Sequence, residues 1–428
     1  MVLLAVAGLF LAGSAAQAEA ATPLMVEPTG AERQLWNAVG EFGHELLQTS
    51  SKSAARLQNM LISPLSVHLA LSMALEGARG STRDAMLETL KVKGLKPEAL
   101  RHAYSGLTGR KHENTTQPGD SFPDVKYIMR LANRMYLNKA YRIDASYVDQ
   151  LKTTYHADAV NVDFAAQGPA VQKEINEFVR EKTNNLIPEI LREPLDANTV
   201  LALVNAVYFK GDWTHAMHED NRVLPFNKDS KEHRQDHSNW LNTVRNMMYL
   251  ESAALRAKLI RIPYRSRQYT ASMLIIVPKQ SLSDSNQWLY DLKWADVQRE
   301  LGKMQMTRVN LTMPRFEVGG RLQLEGTLRS MGMTPAFDIA TSDLSGIVAD
   351  KKQRLSIDQV IHEAKMIVTK YGTEAAAATV LSMTRLGYVA LDDPVHMMVD
   401  RAFYVAILYG AHNSLDVMPL FNGVVYKV

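Results

Sequence analysis

The sequence predicts a single α+β domain, on three observations. Helix-like periodicity is concentrated in the N-terminal third, strand-like runs dominate from about residue 200 onward, and no Pro/Gly/Ser-rich linker divides the chain. Length alone, 428 residues, would suggest two or three domains of about 150 residues each, or one unusually large one. A hydrophobic fraction of 46%, with 48 Lys+Arg against 45 Asp+Glu, is that of an ordinary folded chain and excludes disordered, collagen-like and low-complexity classes. The near balance of charge, +3 net, leaves no electrostatic footprint for nucleic acid. With no cysteine in the chain, disulfide frameworks, zinc ribbons, iron–sulfur clusters and thiol nucleophiles are excluded.

The elements can be taken in order. Residues 2–12 are almost wholly apolar, and Ala16-Gln17-Ala18 has the spacing of a cleavage site, so residues 1–18 read as a signal peptide and the protein as secreted and extracellular. About 11 apolar residues are too few to cross a ~30 Å hydrocarbon core, and no later run approaches the ~18 a membrane span needs. Sequons stand at Asn114, in a polar stretch suited to glycosylation, and at Asn310, in an alternating strand pattern that suits it poorly. Ser63-Pro64 is a cap and first-turn proline ahead of Leu65, Leu69 and Met73, with Gly77 as the stop. Ser81 and Asp84 suggest a capping box before Met86, and residues 171–182 carry Val171, Ile175, Phe178 and Val179 on one helical face. Strand-like runs cover 200–209, 259–263, 269–277, 308–318, 355–368, 403–409 and 417–425. Residues 387–398 read as loop.

Residues 372–379, GTEAAAAT, carry the functional argument. Four alanines favour helix, yet a strand pattern precedes them. Read as a strand, one face carries Thr373, Ala375, Ala377, Thr379, Leu381 and Met383, and the other carries Glu374, Ala376, Ala378, Val380, Ser382 and Thr384. One face is thus small or apolar throughout, which suits entry between two strands over a packed core, where bulk or charge would cost several kcal/mol.

That segment resembles the reactive-centre hinge of the serpins. The resemblance extends over about residues 30–428: NMLISPLSV at 59–67, LVNAVYFKGDW at 203–213, IPYRSRQYTASMLIIVPK at 262–279, MPRF at 313–316, LSGI at 344–347 and IHEA at 361–364 all resemble family blocks. DRAFYVAI at 400–407 is similar to the C-terminal signature, with Ala402 where Pro, Ser or Thr is usual. The resemblance implies a large central mixed β-sheet, further sheets and an exposed reactive-centre loop at about 370–398. It implies a protein that is not an enzyme and needs no cofactor, a monomer whose partner is a serine protease held as a covalent acyl complex. Cleavage would release the loop to insert as a new strand, and about 14 residues at ~3.3 Å each would carry the protease some 45 Å.

Carried over residue by residue, the resemblance implies a hinge of Gly372, Thr373, Glu374, Ala375, Ala376, Ala377, Ala378 and Thr379. It implies a hydrogen-bonded shutter of Ser63, Ser66, Asn205 and His362, and a breach of Trp213, Arg315 and Lys370. Counting from the hinge puts the reactive bond between Leu386 and Gly387, for a chymotrypsin-like target. A loop one residue shorter puts it after Arg385, for a trypsin-like one. Lys370 stands where the family usually has an acid, facing the base position Arg315, so the two would be like charges and Lys370→Glu would raise thermal stability. The stretch 386–403 is several residues longer than usual, and Phe421-Asn422-Gly423 lacks the following asparagine-proline.

Other constellations are weaker. His215, His218, His233 and His237 have ligand-like spacings, but a polar insertion explains them and no metal is expected. Arg110-Lys111-His112 with Arg101 and Lys91 could bind a polyanion such as heparin, although a solvated helix face explains them as well. No nucleotide, zincin or nucleophile-elbow motif occurs, so a hydrolase has no visible catalytic set. The alternative to an inhibitor is a non-inhibitory serpin acting as a binding or carrier protein.

Overall fold

Thr29 caps the first helix: its hydroxyl accepts the Glu32 amide proton at 3.2 Å, and the Glu32 carboxylate accepts the Thr29 amide at 2.8 Å. The computed structural model describes residues 28–54, 56–109, 128–228, 230, 234–265, 271–282, 286–373, 393–410 and 414–428. In chain order, α1 (Gly30–Ser53), β1 (Met60–Ile62), α2 (Pro64–Gly77), α3 (Gly80–Thr89) and α4 (Pro97–Gly109) form the helical N-terminal part. Next come β2 (Ile128–Asn138), α5 (Ala145–Tyr155), β3 (Asp158–Val162), α6 (Phe164–Lys182) and β4 (Leu201–Asp212). The short β5 (His218–Asp220), β6 (Leu224–Phe226) and β7 (Gln235–His237) precede β8 (Trp240–Ser252), β9 (Ala257–Pro263) and β10 (Ala271–Pro278). After α7 (Gln287–Asp291) and α8 (Trp294–Leu301) come β11 (Gln305–Pro314), β12 (Phe316–Gln323), α9 (Glu325–Leu328) and α10 (Thr334–Phe337). The chain closes with β13 (Gln359–Val368), β14 (Gly372–Thr373), β15 (Val395–Met398), β16 (Phe403–Tyr409) and β17 (Met418–Val425).

The strands form two large mixed sheets. One has the order β12-β13-β14-β4-β2-β3, with β13 also paired directly to β4. The other runs β1-β17-β16-β10-β9-β8-β11-β15, with β5 on β8. A two-stranded β6–β7 pair stands apart. β4 is apolar on both faces, as a strand covered on both sides must be. Leu201, Leu203, Val207 and Phe209 face the main core, whereas Ala202, Val204 and Ala206 pack with Val171, Ile175 and Val179 of α6. The alanines let the helix lie close to the sheet.

The expected α+β class, with helices first and a large mixed sheet, is the observed one. Some local expectations need correction. The capping box at Ser81 and Asp84 does not form, because α3 begins two residues earlier, after Arg79, with Gly80 at φ +48° turning the chain. The run 308–318 divides at Arg315 into β11 and β12, which belong to different sheets. In the stretch 387–398, Val395–Met398 is a strand, because the open edge of β11 offers it a parallel partner from Val309 to Thr312. Among the described helices none is long and apolar enough to cross a membrane.

Candidate functional site

The six-stranded sheet is closed along one half and open along the other. From Gln359↔Ala202 to Ala364↔Val207, β13 and β4 pair directly in parallel. Beyond that point they part, and β14 stands between them, with Thr373 opposite Val368 on one side and Gly211 on the other. Gly372 lies opposite Asp212 at φ +154°, and a Cβ there would sit 2.1 Å from the Gly211 carbonyl oxygen. Only glycine fits that position. The first two hinge residues are therefore already seated in the sheet, while Glu374, Ala375, Ala376, Ala377, Ala378 and Thr379 lie outside the described residues, as do Arg385, Leu386 and Gly387.

Hydrogen bonds and one aromatic pair hold the seated end. Trp213 is buried and stacks on Tyr264, ring centroids 4.6 Å apart and 15° between planes. Its indole nitrogen donates to the Thr369 carbonyl at 3.0 Å, and its amide donates to the Tyr371 carbonyl at 2.8 Å. Tyr264 shares a hydrogen bond of 2.6 Å with the Thr373 hydroxyl, and both residues are at most 1% exposed. Burial raises the Tyr264 phenol, so it stays protonated and able to donate. Neither Tyr264 nor Thr369 stood out in the sequence, since their relation to the hinge depends on strand register.

Within the closed half, where His362 lies opposite Asn205, these two residues are brought together with Ser63 and Ser66, all buried. The Ser63 amide can only donate, and it donates to His362 Nε2 at 3.0 Å, so Nε2 is the acceptor and Nδ1 carries the proton. Nδ1 then donates to Asn205 Oδ1, and Asn205 Nδ2 donates in turn to Ser66 Oγ and Asn133 Oδ1. Ser63 Oγ donates to the Leu420 carbonyl at 2.7 Å, as α2 begins at the end of β1. Asn133, on β2, is a member that the sequence pattern did not reveal. Burial drives His362 down from 6.5 to about 3 and both His44 and His68 to about 4, so all three are neutral at pH 7.

The expected repulsion between Lys370 and Arg315 is corrected. Lys370 Nζ lies 3.0 Å from the Glu219 carboxylate, which raises its pKa, and β5 brings Glu219 there by pairing along β8. Arg315 is exposed in the link between β11 and β12, its amide donating to the Asn239 carbonyl at 2.7 Å. Glu317, the other carboxylate nearby in sequence, is engaged by Lys365 at 2.8 Å. Of the basic cluster, Lys91 pairs with Glu45 at 2.7 Å and Arg101 with Glu76 at 3.1 Å, while residues 110–112 lie outside the described residues. Asn310 lies within β11, and Asn114 is outside the described residues. Among the described residues no group of three His, Asp or Glu side chains could hold a metal.

Comparison with known proteins places this geometry. The family model described as serpin (serine protease inhibitor) matches residues 37–428. Leukocyte elastase inhibitor of Xenopus laevis is 29% identical over 372 residues, covering 83% of this chain and 93% of that protein. Iripin-2 of Ixodes ricinus is 30% identical over 382 residues, covering 87% and 89%. The crystal structure of Serpin48, a highly specific serpin in the insect Tenebrio molitor, superimposes with a TM-score of 0.73 at 25% identity, covering 92% of this chain and 98% of that one. These relatives overturn the expectation of a secreted, extracellular protein: leukocyte elastase inhibitor and the matched serpins B3, B6 and B9 are intracellular serpins, and Iripin-2 is a secreted one. The apolar run 2–12 that suggested export has no basic residue ahead of it, and residues 1–18 lie outside the described residues.

Each of these contacts can be tested. Tyr264→Phe leaves the buried Thr373 hydroxyl without its partner, at a cost of about 1–3 kcal/mol, so amide exchange at residues 369–373 should quicken; unchanged exchange refutes the latch. Lys370→Glu should lower the melting temperature by facing Glu219 with a like charge, and adding Glu219→Lys should restore it; a rise in the single variant refutes the pairing. The unfolded chain protonates its histidines below 6.5 while the three buried ones resist to about 3–4, so stability should fall with pH through that window. His362→Gln should make the fall shallower by about 1.4 kcal/mol per pH unit; calorimetric melts from pH 7 to 4 with equal slopes in both proteins contradict this.

Proposed function

The chain belongs to the serpin family, the serine protease inhibitors, and from that premise we propose that it is a suicide-substrate inhibitor whose loop completes a strand already begun by β14. The observation that carries the reading is the seat of Gly372 and Thr373 between β13 and β4. Continued one residue for one residue, the same register runs down β4 to Leu201 and brings Met383 opposite it.

The side chains along that register suit the partners they would meet. Glu374 would face Lys210, an opposite-charge cross-strand pair. Ala375 and Ala377 would lie over the core beside Phe209 and Val207, and Leu381 and Met383 beside Leu203 and Leu201, all four of these β4 residues belonging to the core today. On the other face, Ala376, Ala378, Val380 and Ser382 would meet Tyr208, Ala206, Val204 and Ala202, where α6 packs close and leaves little room. Thr379 would arrive opposite both Asn205 and His362, which pair with each other now. Insertion thus exchanges the hydrogen bond between those two side chains for a hydroxyl that can serve both.

In the reaction, the protease serine oxygen attacks the carbonyl carbon of Arg385 or Leu386. The C–N bond to the next residue breaks, the new amine takes a proton, and the loop is left as an ester on the protease. Freed at that end, the segment beyond Thr373 zips in, and the roughly 12 residues to Arg385 at ~3.3 Å each carry the ester about 40 Å. Trapping succeeds if this outruns hydrolysis of the ester. The small hinge side chains favour the inhibitor over the carrier reading, because they present no bulk to slow the first steps.

Incubation with trypsin and with chymotrypsin should yield a complex that survives boiling in detergent. The mass of the released C-terminal peptide then assigns the bond to Arg385 or Leu386. Ala377→Arg, which would force a cation against Val207 and Ala364, should be cleaved at an undiminished rate and trap at least tenfold less protease. Cleavage of the unaltered protein without any complex overturns the inhibitor reading in favour of the carrier.

A further inference from the structure

A cavity of about 420 Å³ opens on the second sheet beside β15, away from the sheet in which β13 and β4 part. Its walls come from several strands and the segment after β15. Lys258 is on β9, Lys279 follows β10, Asn310 and Thr312 are on β11, and Arg401 follows β15. Cations outnumber carboxylates around it. Asp400 is met by Arg401 at 3.0 Å and by Lys228 at 3.9 Å, and Glu251 by Lys279 at 2.9 Å. Lys258 stands opposite Glu251 across the β8–β9 pair and interacts with that carboxylate electrostatically, but Glu251 is gripped by Lys279, and among the described residues no hydrogen bond or ion pair within contact distance holds the Lys258 ammonium group.

The neutral polar groups are turned the same way. The Asn242 amide nitrogen donates to Asn310 Oδ1 at 2.9 Å and to Thr312 Oγ1 at 3.1 Å. With those oxygens engaged as acceptors, the Asn310 amide nitrogen and the Thr312 hydroxyl proton remain to donate. A concave surface with surplus cations and two such donors, next to the apolar side chain of Met398, matches an anion rather than a cation or a neutral ligand.

We propose that this cavity binds a small polyvalent oxyanion, a phosphate or sulfate ester, held by Lys258 and Lys279 with Asn310 and Thr312 donating. Binding bears on the loop. β15 is four residues long and, among the described residues, lies at a sheet edge, paired to β11. It is the first strand after residues 374–392 and so their C-terminal mooring. An anion gripped from β9, β11 and the residue after β10, in a cavity that His396, Met397 and Met398 of β15 also line, braces that mooring against the sheet. Ligation of the native state therefore stabilises the protein by mass action and resists peeling of β15.

The test is isothermal titration of the full chain with sodium tripolyphosphate at fixed ionic strength. Expected are saturable one-to-one binding, a rise in melting temperature with the probe, and at least tenfold weaker binding in Lys258→Met, which keeps the stem that packs. Arg101→Met, in the other basic cluster, should bind as the unaltered chain does. A parallel titration with a sulfated disaccharide ranks sulfate against phosphate, and Lys258-dependent binding of either sustains the proposal. The absence of saturable binding by both probes, or binding that survives Lys258→Met and Lys279→Met together in variants with an unaltered circular dichroism spectrum, overturns it.

Discussion

The structure depends on a half-closed seam. Six parallel pairs fasten β13 to β4 from Gln359 to Ala364, and the two strands then diverge around Thr373. Backbone donors and acceptors on facing strands normally find each other, since leaving them buried and unpaired is costly. Among the described residues, the facing edges of β13 at 365–367 and of β4 at 208–210 have no strand between them, so the seam stops halfway with pairing unmade. It needs something to hold it shut below and something to hold it apart above. The His362–Asn205 hydrogen bond lies within the shut part, and the Tyr264–Thr373 hydrogen bond, braced by Trp213, lies at the parted end.

The two ends are built differently because they have different tasks. Below, a polar chain runs from Ser63 through His362, Asn205 and Ser66, all buried, to half-buried Asn133, tying α2, β13, β4 and β2 together at one level of the sheet. Its members are strictly oriented: one donor, the Ser63 amide, fixes the histidine tautomer and through it the flip of Asn205. Such a network is rigid when satisfied and costly when half-satisfied, so it fixes β13 against β4 at that level of the sheet. Above, the contacts are fewer and involve chain that immediately leaves the sheet. Stacking and one shared hydroxyl there seat a short segment without committing the residues beyond Thr373.

How much of this was legible in the sequence divides along a physical line. Local signals were readable: Ser63 capping α2 with Pro64 behind it, Gly77 ending that helix, and the apolar runs of β9, β10, β16 and β17. Gly372 and Thr373 were readable as the start of a segment small enough to enter a sheet, and the structure seats these two between β13 and β4. Properties of register were not readable. Glu219 meets Lys370 across 151 residues, and Asn133 meets Asn205 across 72, because strands far apart in sequence happen to align. β2 and β8 escaped notice because arginine and asparagine interrupt their alternation, being tolerated where one face is half-exposed. The seating of Gly372 and Thr373 belongs to the same class: composition can say that a segment fits a gap, but only the fold supplies the gap.

If the unmade pairing is the source of the driving force, then completing the strand must leave the protein more stable than before. Differential scanning calorimetry of the intact chain and of the chain nicked once between residues 384 and 388 measures this directly. The account predicts that the nicked protein melts well above the intact one, since a full central strand adds pairing on both sides and covers the core beneath. A nicked protein that melts at or below the intact temperature would show that the parted strands hold no reserve, and the account would be contradicted.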